Sequence, residues 1–300
     1  MRKNQPFNRP CSQSYSYMGF RYDINRYPPK LMVTIPLIVL LLALATLGVN
    51  TALTGFPITK GMDFAGGTAV TVFTTDTPDQ ITSAFAGYPL IDVESGINNG
   101  KYLKFGPMED AQFRSLSALI LQKYPDAKID QIGASFGATL QEQAVIALAF
   151  SFILMAIVVF VVFRIFVPSL AVILSAFSDI MIAAALMNVF GIPLSLATTA
   201  ALLMLIGFSV DSDILLTNRV LKRQGNLADK MAGAFTTGFI MTSTAIAAVI
   251  AMWVVSLVGQ VEIIFQISTV MLFGLVADIF NTWVLNAGIL RWYLERREAR

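Results

Sequence analysis

Six stretches of this 300-residue chain are apolar for about 20 residues at a time, the length of helix that crosses a hydrocarbon layer. They are Leu31–Leu53, Glu142–Phe163, Pro168–Val189, Leu194–Asn218, Thr236–Val258 and Phe265–Leu290. In oil every backbone N–H and C=O must be satisfied within its own segment, so runs of this kind fold as helices. With 56% hydrophobic and 13% charged residues, the chain has the composition of a polytopic membrane protein rather than of a soluble domain with a large core. The runs divide it into a cytoplasmic tail 1–30, a first span 31–53, an extracytoplasmic insert 54–141, a five-helix block 142–290 and a second cytoplasmic tail 291–300.

Orientation follows from where the cations lie. Lys and Arg cluster at Arg2, Lys3, Arg9, Arg21, Arg26 and Lys30, at Arg164, at Arg219, Lys222, Arg223 and Lys230, and at Arg291, Arg296, Arg297 and Arg300. The short connections around Gly191–Pro193 and Leu257–Val261 carry none. The positive-inside rule then puts both termini and the Arg219–Lys230 loop in the cytoplasm. The lysines of the 54–141 insert do not count against this, because long domains cross regardless of charge. Arg219, Lys222 and Arg223 are read as topology determinants that touch anionic lipid. About 30 residues precede the first run, longer than the basic region of a signal peptide, so that run is expected to remain as an anchor.

The insert has the pattern of a small α+β domain. Thr68–Phe73, Leu90–Val93, Tyr102–Phe105 and Lys128–Ile132 read as strands. Thr77–Gln80 opens a short helix, and Phe113, Leu116, Leu119, Ile120 and Tyr124 recur at helical spacing. The order β-α-β-β-α-β is the ferredoxin-like split motif. Ahead of it, Gly61-Met62-Asp63-Phe64-Ala65-Gly66-Gly67 precedes a strand, whereas a phosphate-binding loop needs a helix to follow and usually a lysine, which favours a structural or docking reading. Gly61, Asp63, Gly66 and Gly67 are expected to form a tight turn with a structural or docking role.

Charges inside the spans are the functional signal. Asp179, Asp211, Asp213 and Asp278 lie within apolar runs, where each charge costs about 2.5–3.5 kcal/mol on insertion scales and marks an ion or substrate path. Asp213 stands about 200° around a helix from Asp211, so the two face different neighbours. Asp278, Asn281 and Thr282 share a face, and Ser175 lies one turn before Asp179. Ser209, Thr242, Ser243 and Asn281 are the polar partners expected along this seam. Asp211 is read as the principal proton-exchanging group, facing Asp278, Asn281 and the Thr242–Ser243 region. The alternative is structural, with buried acids that lock helix packing. There is no histidine and one cysteine, Cys11. That leaves no internal disulfide, no metal-ligand pattern and no cofactor motif.

Gly61–Thr68, Gly207–Arg219 and Thr236–Thr244 on a six-span plan resemble the SecD–SecF family of protein-export membrane proteins, in the resistance-nodulation-division superfamily. The short insert is similar to that of the smaller of the family's two partners. The form Ser209-Val210-Asp211-Ser212-Asp213 resembles the archaeal branch. The bacterial branch has Asn where Asp211 stands and Asp where Ser212 stands, and a Gly-rich segment in place of the Asp278 stretch. The resemblance implies a non-enzymatic accessory subunit of the Sec translocase. Such a subunit pairs with a SecD-like subunit, sits beside the Sec channel and in membrane lipid, acts on exported polypeptides rather than nucleic acid, and draws on the proton gradient. Two rival readings are a small-molecule or lipid exporter of the same superfamily and an intramembrane aspartyl protease using Asp211 and Asp278. The Gly-x-Gly-Asp signature of the latter is absent.

Overall fold

The computed structural model describes residues 27–96, 99–222 and 227–298. Six of its helices are long and apolar enough to cross a membrane. The first, α1 (Pro29–Thr54), starts on Pro29, where the missing N–H is not needed, and ends on Gly55 in the left-handed region with its N–H on the Thr51 carbonyl. A single turn, α2 (Met62–Ala65), follows where the sequence suggested only a tight turn.

The α+β domain then runs β1 (Gly67–Phe73), α3 (Pro78–Ala84), β2 (Leu90–Ser95), β3 (Gly100–Phe105), α4 (Asp110–Lys123) and β4 (Lys128–Ile132). Its sheet has the order β2-β3-β1-β4 with every pair antiparallel, as the split motif requires. A capping box opens α3: Gln80 N–H donates to Thr77 Oγ1, and Thr77 N–H donates back to Gln80 Oε1. Val70, Val72, Leu103 and Phe105 from one sheet face meet Ile81, Phe85, Leu116 and Ile120 of the two helices in a closed core.

The remaining spans are α5 (Ala134–Phe163), α6 (Phe166–Val189), α7 (Leu196–Lys222), α8 (Leu227–Gly259) and a last span of three parts. That span is α9 (Glu262–Phe280), a π-helical stretch Asn281–Asn286 and α10 (Ala287–Glu298). Helix α5 starts at Ala134, directly after β4, and not at Glu142 as hydropathy suggested. Its polar first turns pack on α2 through Gly137, where a Cβ would come within 2.9 Å of the Phe64 carbonyl. Helices α6, α7 and α9 pack against one another at the centre. The most apolar stretch of α6 is 67% buried within the chain, whereas that of α5 is 6% buried, so α5 presents its surface outward. Small residues allow the close approaches: a Cβ on Gly274 would meet Leu205 side-chain atoms at 2.3 Å, and one on Gly238 would meet Trp283 at 2.5 Å.

Candidate functional site: an acidic cluster between the central spans

Three carboxylates converge in the interior. Asp179 of α6, Asp213 of α7 and Asp278 of α9 are all buried, at 0%, 0% and 1% exposure. One face of α7 links them: its Ser209 bonds Asp179 and its Ser212 bonds Asp278. Each accepts from at least one donor on another span. Asp179 Oδ2 accepts from Ser209 Oγ at 2.5 Å, and its Oδ1 accepts from Asn281 Nδ2 at 2.7 Å. Asp278 Oδ1 accepts from Ser212 Oγ at 2.7 Å and from Thr282 Oγ1 at 3.0 Å. Asp213 Oδ1 accepts from Asn286 Nδ2 at 2.8 Å. Among the described residues no Lys or Arg forms an ion pair with any of the three.

The helices explain the convergence. Ser209, Ser212 and Asp213 fall at i, i+3 and i+4 on the inner face of α7. The π-helical stretch turns Asn281, Thr282, Trp283 and Asn286 inward together. Its i→i+5 bonding brings residues five apart towards one side, and such turns recur at functional sites. Several atoms of the cluster carry spare capacity. Asp213 Oδ2, Asn281 Oδ1, Asn286 Oδ1, Ser178 Oγ and Thr217 Oγ1 make no hydrogen bond to the described residues. The Ser212 hydroxyl has one proton and three neighbours to share it with: the Ser209 carbonyl at 2.9 Å, Asp278 and Thr282. The described residues contain no group of three or more His, Cys, Asp or Glu side chains arranged to hold a metal ion.

Asp211 stands apart. It is exposed, on the far side of α7 from Asp213. It lines a crevice of about 440 Å³ between α7, α8 and α9, together with Phe208, Ser212, Thr242 and Asp278. The expectation that it faces Asn281 therefore needs correcting, because Asn281 is turned to Asp179. Thr242 is buried and lines the same crevice, while Ser243 is half-buried beside it on α8. Thr282, expected on the face of Asp278, lies there and donates to it, whereas Ser212 and Asn286 were not among the expected site residues. Spacing carried a signal for both: Ser212 stands at i+3 from Ser209, and Asn286 follows Asp278 and Thr282 at i, i+4 and i+8.

The glycine-rich turn binds the membrane block. Asp63 Oδ2 accepts the N–H of Leu196, the first residue of α7, at 2.9 Å. Gly61 N–H donates to the Leu194 carbonyl at 2.7 Å, and Leu194 N–H donates to the Thr59 carbonyl at 2.7 Å. Gly61, Gly66 and Gly67 are required by space. A Cβ would lie 2.9 Å from the Leu194 carbonyl, 2.7 Å from the Ala134 Cα and 2.5 Å from the Phe105 carbonyl, respectively. At the other end of α7, Arg219 Nη1 donates to the Gly233 carbonyl at 2.5 Å, which braces α7 to α8. Lys222 is exposed, and Arg223 lies outside the described residues.

A six-span helical bundle with a ferredoxin-like insert after its first span and acids at its centre defines a class of polytopic membrane transport subunit. The family model described as "Protein export membrane protein SecD/SecF, C-terminal" matches residues 113–296. The protein-export membrane protein SecF of Methanolacinia petrolearia is 57% identical over 92% of this chain and 98% of its own length. That of Haloferax volcanii is 43% identical over 90% of this chain and 94% of its own. The chain belongs to the SecD/SecF family of protein-export membrane proteins. Its fold is that of SecDF, a translocon-associated membrane protein from Thermus thermophilus, with a TM-score of 0.70 at 19% identity over 92% of this chain. The chain spans 39% of that SecDF chain.

Proposed function

We propose that this chain serves the Sec protein-export machinery as the subunit that pairs with a SecD-like partner, and that its buried acids carry protons in step with export. The observation that carries the reading is the meeting of Asp179, Asp213 and Asp278, from three different spans, with hydroxyl and amide partners and no cation paired to them among the described residues. Acids at membrane depth that face a bundle interior mark relays. Ser209, Ser212 and Thr282 are exchangeable donors placed between them. Because each acid sits on a different helix, a change in protonation alters how the helices hold together.

Asp211 supports the pairing. An exposed carboxylate within a span is costly in lipid, and a second six-span subunit laid over the α7–α8 crevice removes that cost. The 39% share of SecDF fits a chain that forms the smaller part of such a unit. The Lys and Arg placement supports cytoplasmic termini and an α+β domain on the outer side, where it meets exported polypeptides beside the Sec channel. The proposed role is mechanical rather than enzymatic and needs no cofactor.

The test has two stages. A tagged chain extracted in mild detergent should bring down a larger six-span partner and Sec-channel subunits; a homo-oligomer with neither overturns the pairing. In vesicles holding the assembled complex, an imposed proton gradient should speed export in the parent protein. Asp179→Asn and Asp213→Asn should remove that increment, and its survival in both overturns the relay.

A further inference from the structure

Two polar connections leave the α+β domain and its base, and both end on the first turn of α7. One is Asp63, which caps α7 from outside the helix: its carboxylate accepts the Leu196 N–H at 2.9 Å. Around it the chain is doubly fastened. Thr59 and Gly61 bond the Leu194 backbone, Thr59 N–H donates to Asn188 Oδ1, and Asn188 Nδ2 donates to the Pro57 carbonyl at 2.7 Å. The other connection starts on the sheet. Lys104 of β3 lies 2.5 Å from Glu94 of β2 and 3.9 Å from Glu262 at the start of α9. Glu262 Oε1 accepts from Gln266 Nε2 at 2.7 Å, and Gln266 Oε1 accepts from the buried Ser195 Oγ at 3.3 Å. Ser195 Oγ in turn accepts the Thr198 N–H at 3.2 Å.

Helix α7 continues without a proline to Ser209, Ser212 and Asp213. At 1.5 Å per residue, the cap at Leu196 stands about 25 Å along the axis from Asp213. Ser195 Oγ caps the Thr198 N–H from within the chain's own turn, and Asp63 takes the Leu196 N–H, so the bond that ties the first turn of α7 to the base of the α+β domain by a side chain is that of Asp63. Asp63 is separated from β1 only by Phe64, Ala65 and Gly66, so no slack lies between the cap and the sheet.

We propose that Asp63 is a positioning residue that clamps the α+β domain to the N-terminus of α7, so that domain and acidic helix move as one body. Lys104–Glu262 is the second strap of the same clamp. The use of this clamp in export rests on the gradient-coupled reading above.

The test uses the full chain assembled with its partner, with Cys11→Ser, and spin labels on Gln122→Cys of α4 and Ala200→Cys of α7, both exposed positions. The distance distribution between them should be narrow in the parent. Asp63→Ala should broaden it and abolish the gradient-driven increment in export. Asp63→Asn, which keeps an oxygen to accept the Leu196 N–H, should retain both parent behaviours. An unbroadened distribution in Asp63→Ala overturns the proposal, as does a broadened one with the increment intact. If Asp63→Ala does not accumulate, Lys104→Met opens the second strap at a surface site, and it too must broaden the distribution. If the parent shows no increment, the gradient reading fails, while the distances still decide the clamp.

Discussion

Asn286, the last residue of the π-helical stretch Asn281–Asn286, donates through Nδ2 to Asp213 Oδ1 of α7 at 2.8 Å. On an α-helix Asn286 stands about 140° around the axis from Asn281. Here both are buried, one on Asp213 and the other on Asp179. Replacing Asn286 with Leu removes the donor to a buried carboxyl oxygen whose neighbour, Asp213 Oδ2, already lacks a partner. The expected loss is about 1–3 kcal/mol. Thermal unfolding in detergent would show it as a lowered midpoint for Asn286→Leu against the parent.

The fold was legible because hydropathy and alternation report local geometry. The apolar runs became spans, and Thr68–Phe73 and Lys128–Ile132 became β1 and β4 within a residue. Helix α5 ran past its expected start because Ser135, Thr139 and Gln141 are polar yet helical, on turns that approach α2 at Gly137. The acids were visible as charges in oil, and the separation of Asp211 from Asp213 followed from 100° per residue. Which of the two faces inward did not. That depends on how α7 is rotated against α6 and α9, a tertiary choice that neither residue's neighbours encode. The π-helical turn was invisible for the same reason, since no composition marks it.

Gly66 should not tolerate a side chain. Its φ is +78°, where a Cβ is strained, and that Cβ would stand 2.7 Å from Ala134 Cα and 2.9 Å from its nitrogen. Backbone strain alone amounts to about 1–3 kcal/mol, and the rigid backbone of α5 cannot yield as a long side chain can. Gly66→Ala should therefore loosen α2 from α5 and free the base of the α+β domain. Limited proteolysis should cut between Thr59 and Gly67 faster in the variant than in the parent, and equal rates would show that α5 gives way.

The α+β domain carries an acid-sensitive contact. Tyr124 Oη donates to Asp76 Oδ2 at 2.6 Å, and Lys123 lies 3.7 Å from the same oxygen. The Tyr124 hydrogen bond first, and then the Lys123 charge, hold the Asp76 carboxyl below its ordinary value of 3.8. A carboxyl so lowered in the folded state stabilises the domain above that ordinary value, and the contribution is lost as pH falls through the folded one. Burial and Asp76 push the Tyr124 hydroxyl upward, so its contribution is lost only on the alkaline side. Tyr124→Phe should therefore flatten the acid limb of a melting-temperature profile below about pH 4. An unchanged limb would assign acid sensitivity to other carboxyls.

Asp211 and Asp213 are two residues apart and should fail in different ways. Asp213 is fully buried and bonded to Asn286, inside the cluster with Asp179 and Asp278. Asp211 is exposed beside Phe208 and Thr242 on the wall of the crevice. If the crevice is where a SecD-like partner lies, Asp211→Leu removes a polar anchor from the interface, and the partner should be recovered in lower yield from detergent extracts. Asp213→Asn leaves that surface untouched, so recovery should match the parent, while the gradient-driven increment in export falls to the uncoupled rate. Measuring both variants in both assays separates the roles. Loss of the increment without loss of partner in Asp211→Asn, where the shape is kept and only the acid removed, would move the proton-exchanging role from Asp213 to Asp211. The crevice would then be the path by which protons reach Asp278, whose side chain also lines it.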